Sequence, residues 1–402
     1  MAAMRTVEEH AAVIAGLLSA TRTGMLPLTD AVGLVLAEDL VATIDLPPFA
    51  NSAMDGYAVR AQDLQRLPVT LPVSQDIPAG RTDTEPLRSG TAARIMTGAP
   101  MPPGADTIVQ VERTDGGVTA VRIDSAPGPG VHVRTRGEDV LTGAVVLPAG
   151  TVIGPPQVGV AAALGFAELP VRLPLQVLVL STGTELVEPG KPLGPGQIYE
   201  SNAPMLAAGI TAVGARATVE HFVADDVDQL RSVLSDAAAQ VDLIVTSGGV
   251  SAGAYEVVKD ALTGRGIEFT KVAMQPGMPQ GAGRYAVAGD RFVPIVTLPG
   301  NPVSSYVSFE VFLRPAIRAA MGHPDTSRPI VRAQLTTAID SPAGKRQFRR
   351  GHLDTAAGIV APWGGPGSHL LSWLAGADCV IVIADDVTHL DPGAEVEVWL
   401  LG

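Results

Sequence analysis

A chain of 402 residues with 46% apolar side chains is too long for one hydrophobic core, which serves about 100–200 residues, and predicts several folded units. Its 44 Gly and 33 Pro mark many tight connections within a globular protein and exclude a disordered one. With 28 basic against 41 acidic residues the formal charge is −13, which disfavours nucleic acid and anionic membrane over most of the surface, so an anionic ligand has to meet a local basic cluster.

The opening MAAMRTVEEH lacks the apolar core of a signal peptide, and no apolar run is long enough to span a bilayer, so a soluble cytoplasmic protein is expected. The single cysteine, Cys379, stands in the strand pattern CVIVI and reads as core, which leaves no disulfide framework and no thiolate metal site. The seven histidines are scattered without ligand spacing.

In chain order, Thr6-Val7-Glu8-Glu9 predicts a capping box opening a helix with Val7, Ala11, Ile14, Leu17 and Leu18 on one face. A second short helix is expected over Asp30 to Asp39. From Phe49 to Val146 short strands alternate with Gly and Pro, a β-rich pattern. It contains NSAMDGYAV (51–59), where Asp55 precedes Gly56. Asp55 is either a turn residue accepting bonds from its own backbone or a functional carboxylate.

Gly150 to Gly165 returns to helix. Beyond it, continuous apolar strands alternate with amphipathic helices: Val177–Leu180, Pro204–Val213, Asp226–Ala239, Leu243–Val245, Ile295–Val296, and a long helix from Pro302 to about Met321. That pattern predicts a parallel sheet covered on both faces. After Gly322 the chain turns β-rich again, with strands expected over 331–337, 380–383 and 396–401.

Three loops follow three of the parallel strands, where ligands of open α/β sheets collect. They are STGTE (181–185, with Glu185), SGGVSAG (247–253, with Ser247, Gly248, Gly249 and Ser251) and LPGNPVSS (298–305, with Pro299, Asn301, Pro302 and Ser304). Backbone N–H groups unobstructed by side chains, hydroxyls, and a helix start with Pro at its first position suit a phosphate or oxyanion. Two basic clusters, RTRGED (134–139) and KRQFRRG (345–351), read either as solvated faces or as anion sites.

Taken together, NSAMDGYAV, RIMTGAP (94–100), RTRGED, STGTEL, QIYESN (197–202), SGGVS and LPGNPVSS resemble the MoeA family, the molybdopterin molybdenumtransferases, whose eukaryotic relatives include gephyrin. The resemblance runs from near the first residue to the last strand. It implies an elongated homodimer of multidomain α/β and β chains. The implied division is a helix-containing linking domain (1–48 and 141–172), a β-rich inserted domain (49–140), a central parallel α/β molybdopterin-binding domain (173–322) and a C-terminal small β-barrel (323–402).

The implied reaction is Mg²⁺-dependent insertion of molybdate into adenylylated molybdopterin with release of AMP, the substrate being supplied by a molybdopterin adenylyltransferase. By motif, Asp55, Asp139, Glu185 and Asp225 resemble the family's acidic functional positions, with Asp55, Glu185 and Asp225 as the expected magnesium carboxylates. Glu256, which stands where an aspartate is common, and Lys271 complete the implied catalytic set. Thr97, Arg134, Pro299, Pro302, Arg350 and Ser368 resemble remaining active-site positions.

One departure concerns charge: where many members carry Lys-Pro-Gly-Lys-Pro, this chain has Gln275-Pro276-Gly277-Met278-Pro279, two cations fewer at the implied anion site. Two other functions stand beside the transferase. A molybdopterin adenylyltransferase would resemble only Val177 to Met321 and need none of the flanking motifs. A non-catalytic cofactor-binding scaffold or carrier would be compatible with the losses at Gln275 and Met278.

Overall fold

The computed structural model describes residues 4–125, 127–222, 227–238, 240–248, 257–286 and 292–402. The chain forms two compact units, one of Met1–Met25, Gly33–Val35 and Pro170–Gly402, the other of Leu26–Val32 and Leu36–Leu169. Helix α1 (Val7–Leu17) opens with the expected capping box: Thr6 Oγ1 accepts from Glu9 N at 3.1 Å, and Glu9 Oε2 accepts from Thr6 N at 2.8 Å. It buries Val7, His10 and Ile14, residues three and four apart and therefore on one face.

No helix forms over Asp30–Asp39; that stretch is a series of turns. Gly33 adopts a φ of 83°, which helical geometry forbids, and Leu36 pairs through its backbone with Gly150 and Thr151. Asp39 then accepts a bond from Ala149 N at 2.7 Å. Non-local pairing overrides the local apolar spacing here.

The Leu36–Leu169 part of that unit holds a sheet of β1 (Gly56–Val59), β2 (Val69–Ile77), β3 (Ala92–Ile95), β4 (Thr107–Gln110) and β5 (Ala120–Ile123), in the order β4-β1-β3-β2-β5. Alternate residues of β1 go to opposite faces, and both faces are covered: Tyr57 and Val59 pack with Leu71, Val109 and Val121, while Ala58 packs with Ile77, Ile95 and Ile108. Helix α2 (Pro155–Ala163) starts with Pro at its first position, as the Gly154-Pro155 sequence favours.

The other unit centres on a mixed sheet of β6 (Gln176–Thr182), β7 (Arg216–Phe222), β8 (Leu243–Ser247), β9 (Ile267–Lys271), β10 (Pro279–Ala286) and β11 (Phe292–Leu298), ordered β7-β6-β8-β11-β10-β9. The first four in that order run parallel; β10 is antiparallel to both its neighbours. On one face Val177, Val179 and Val245 pack against α3 (Asn202–Ala212) through Leu206 and Ile210. On the other, Leu178, Leu180 and Ile244 pack against α4 (Val227–Ala238) and α5 (Val257–Leu262). Burial on both faces explains why these strands read as continuous apolar runs.

The long helix expected from Pro302 is helical to Ala320 but in three parts: α6 (Pro302–Ser308), a π turn over Phe309–Leu313, and α7 (Arg314–Ala320). Pro315 has no N–H to give to the carbonyl four residues back, which accounts for the local widening. Beyond it, β12 (Ile330–Leu335), β13 (Arg346–Asp354), β14 (Ile359–Pro362), β15 (Cys379–Ile383) and β16 (Glu395–Leu400) close into a five-stranded barrel, because β13 pairs with both β14 and β15. Cys379 is fully buried inside it with Ile381, Val396 and Val398. Among the described residues no helix is long and apolar enough to cross a membrane.

Candidate active site

Register, not side-chain chemistry, brings the three loops together. Ser181 of β6 lies beside Ser247 of β8, and Ser247 beside Leu298 of β11, so the three strands end level. The loops then approach closely. A Cβ on Gly248, whose φ is 93°, would stand 3.3 Å from Thr182 O, and one on Gly300 3.5 Å from Gly248 Cα. Gly248 is therefore glycine for its left-handed backbone as well as for space. Lys271 ends β9 at this same edge of the sheet, and its side chain is exposed.

Pro299 is buried, Pro302 half-buried, and Asn301 exposed at the start of α6. Asn301 Nδ2 donates to Ser368 Oγ at 2.9 Å, and Ser368 O accepts from Val303 N at 3.0 Å. The barrel loop carrying Ser368 thus occupies a donor of the first helical turn that the sequence pattern assigned to a ligand. Pro302 has no donor, and Ser304 is buried beside them.

Arg350 is 5% exposed, and its guanidinium donates to Gly365 O, to Gly367 O at 3.2 Å and to Leu370 O at 3.4 Å. Burial, and secondarily Arg349, hold its pKa below the usual guanidinium value. Its visible work is to hold the loop that presents Ser368. Gln275, half-buried, accepts from Gln347 Nε2 at 3.0 Å.

Two residues of QIYESN that the sequence left without a role are buried at the start of α3, and one of them reaches the crevice. Asn202, first in α3, donates from Nδ2 to Ser247 Oγ and to Gly300 O, both at 2.7 Å. Glu200, also buried, accepts from Ala203 N at 2.8 Å and so caps the same helix. A carboxylate three residues ahead of a helical N–H was the available signal.

Glu185 is exposed in the loop after β6. Asp225, Gly249, Ser251 and Glu256 lie outside the described residues. Among the described residues no three His, Cys, Asp or Glu side chains gather into a group able to hold a metal ion.

In the unit holding β1–β5, Asp55 is exposed and its Oδ1 accepts from Thr97 N at 2.7 Å and from Thr97 Oγ1 at 2.8 Å. These bonds, the backbone one first, hold its carboxyl below the usual range. The local turn bonds expected of Asp55 as a turn residue are made by Ser52, whose Oγ contacts Met54 N and Met54 O. Gly56 has a particular cause as well: a Cβ there would collide with the Val109 carbonyl of β4, so close strand approach demands glycine. Arg134, exposed, pairs through its backbone with Asn51, and Asp139, also exposed, donates its N–H to Leu46 O at 3.0 Å.

Family models match almost the whole chain: MoeA N-terminal region (domain I and II) over residues 5–165, "probable molybdopterin binding domain" over 178–319, and MoeA C-terminal region (domain IV) over 332–401. The chain is 55% identical to molybdopterin molybdenumtransferase 2 of Mycobacterium tuberculosis, covering 98% of this chain and 99% of that one. It is 35% identical to the molybdopterin molybdenumtransferase of Haemophilus influenzae over 94% of each. A solved structure, the molybdopterin biosynthesis MoeA protein of Pyrococcus horikoshii, superposes with a TM-score of 0.82 at 30% identity over 100% of both chains. The chain belongs to the MoeA family of molybdopterin molybdenumtransferases, transferase enzymes of molybdenum cofactor biosynthesis.

Proposed function

We propose that this enzyme inserts molybdate into adenylylated molybdopterin with release of AMP, in a Mg²⁺-dependent reaction. The observation that carries the reading is the level ending of β6, β8 and β11, which gathers Ser247, Gly248, Gly300 and Asn301 into one crevice of glycines and short polar side chains. Such a surface suits a phosphate-bearing substrate whose dithiolene sulfurs hold the incoming metal, so the protein needs no thiolate of its own.

Mg²⁺ commonly keeps several waters and takes one or two carboxylates together with substrate phosphates. The exposed Glu185 fits that demand without an all-protein cage, with Asp225 and Asp55 as the other proposed carboxylates. When bound, the ion would offset charge on the phosphoanhydride. Lys271, Arg134, Thr97, Asp139 and Glu256 are retained as proposed site residues, Arg350 through the loop it holds. A cytoplasmic homodimer supplied by a molybdopterin adenylyltransferase completes the proposal. The alternative of an adenylyltransferase loses ground because the family match extends well beyond 178–319.

The test mixes the protein with adenylylated molybdopterin and follows AMP, omitting molybdate or Mg²⁺ in turn. AMP should appear only in the complete mixture. Binding without AMP under all conditions would favour a carrier.

A further inference from the structure

Asn202 is 8% exposed, and the two N–H groups of its amide reach two loops, Gly300 O and Ser247 Oγ, each at 2.7 Å. A carbonyl oxygen can only accept, so the amide must turn its NH₂, not its oxygen, toward Gly300. That orientation also fixes Ser247 Oγ as an acceptor. The hydroxyl hydrogen of Ser247 is then directed away from Asn202. Asn202 Oδ1 is buried with no partner among the described residues, so the two acceptors set the orientation at the expense of an unmet group.

Glu200 sharpens the arrangement. Its carboxyl oxygen already accepts from Ala203 N, one of the open donors at the start of α3, so that donor is not offered to a ligand. The Gly248 N–H is already given to Leu298 O at 3.1 Å, so the donor left on this side for an entering anionic group is the Ser247 hydroxyl.

We infer that Asn202 is a positioning residue that orients the Ser247 hydroxyl as a hydrogen-bond donor to a phosphate oxygen of the bound substrate. This rests on the transferase reading of the same crevice. Asn202 touches no substrate itself; it acts through Ser247.

The test is a double-mutant cycle on equilibrium binding of adenylylated molybdopterin, with thermal unfolding measured alongside. Ser247→Ala should weaken binding about tenfold, the usual scale for a bond to a charged acceptor, while Ser247→Thr retains it. Asn202→Ala should weaken binding severalfold in the parent and not at all in the Ser247→Ala background, although its lowered melting temperature persists in both. If Asn202→Ala does not fold, Asn202→Ser, which keeps a shorter donor, serves the same cycle. An Asn202 effect undiminished without the Ser247 hydroxyl, or binding indifferent to Ser247→Ala, overturns the inference alone. Parent protein that does not bind adenylylated molybdopterin overturns the substrate reading and this inference with it.

Discussion

Asp55 with Thr97, and Asn202 with Ser247, are both pairs of small polar side chains, yet they are built in opposite ways. The first pair is exposed and joins two turns by a side chain reaching across. The second is buried: the register of parallel strands places Ser247, and the start of α3 brings Asn202 onto it. Where register does the placing, substitutions at the strand ends should act on ligand and stability together. In a side-chain bridge at the surface, charge can be changed while the fold stays intact.

Glycines mark the largest expected difference between the two regions. Gly56→Ala drives a methyl group into the Val109 carbonyl and should cost about 3 kcal/mol, the upper end of overpacking effects, read by urea unfolding. Gly300→Ala meets only ordinary contact with Gly248 Cα at 3.5 Å and should change stability little. Equal losses at both sites would remove the contrast.

Legibility followed the same division. The strands Val177–Leu180 and Leu243–Val245 were plain in sequence because burial on both faces leaves continuous apolar runs, and their loops followed from strand ends. The role of Asn202 was not, since its two acceptors belong to loops whose approach depends on the sheet order. The helix expected over Asp30–Asp39 failed because the pairing of Leu36 with Gly150 and Thr151 lies far beyond any local window. Likewise, nothing in NSAMDGYAV indicated that Asp55 would meet Thr97; only the resemblance named both.

Acid should separate the two units next. In the unit carrying the α/β sheet, burial lowers the pKa of His10 and of His323 to about 4, and His323 has no ring partner among the described residues. The unfolded chain takes up these protons near the ordinary value of about 6.5, so folded-state stability is complete above that pH and declines as pH falls toward 4. Between pH 7 and pH 5 the loss should be on the order of 2 kcal/mol per histidine. Urea unfolding at the two pH values measures it, and His323→Leu should flatten the dependence. A pH-independent midpoint would contradict the burial argument.

Asp55→Asn probes the surface bridge. Asn keeps an oxygen for both Thr97 donors but removes the charge, so the melting temperature should hold while AMP release falls at least about tenfold, or 1.4 kcal/mol of barrier. An unchanged rate would return Asp55 to a structural role. The smallest effect is expected from lysines at Gln275 and Met278. Each added cation should tighten molybdate dependence by on the order of 1 kcal/mol or less, weakening with salt. Part of that gain is offset at position 275, where the bond to Gln347 is lost. Unchanged molybdate dependence in the double variant would show that these positions do not face the oxyanion.

The most direct test of the whole account is a single-turnover measurement with adenylylated molybdopterin, Mg²⁺ and molybdate, counting AMP released and molybdenum incorporated into the pterin product on the same time course. One molybdenum inserted for each AMP is the predicted result. Substrate retained intact on the protein, with neither AMP nor molybdenum-bearing product formed, would contradict it.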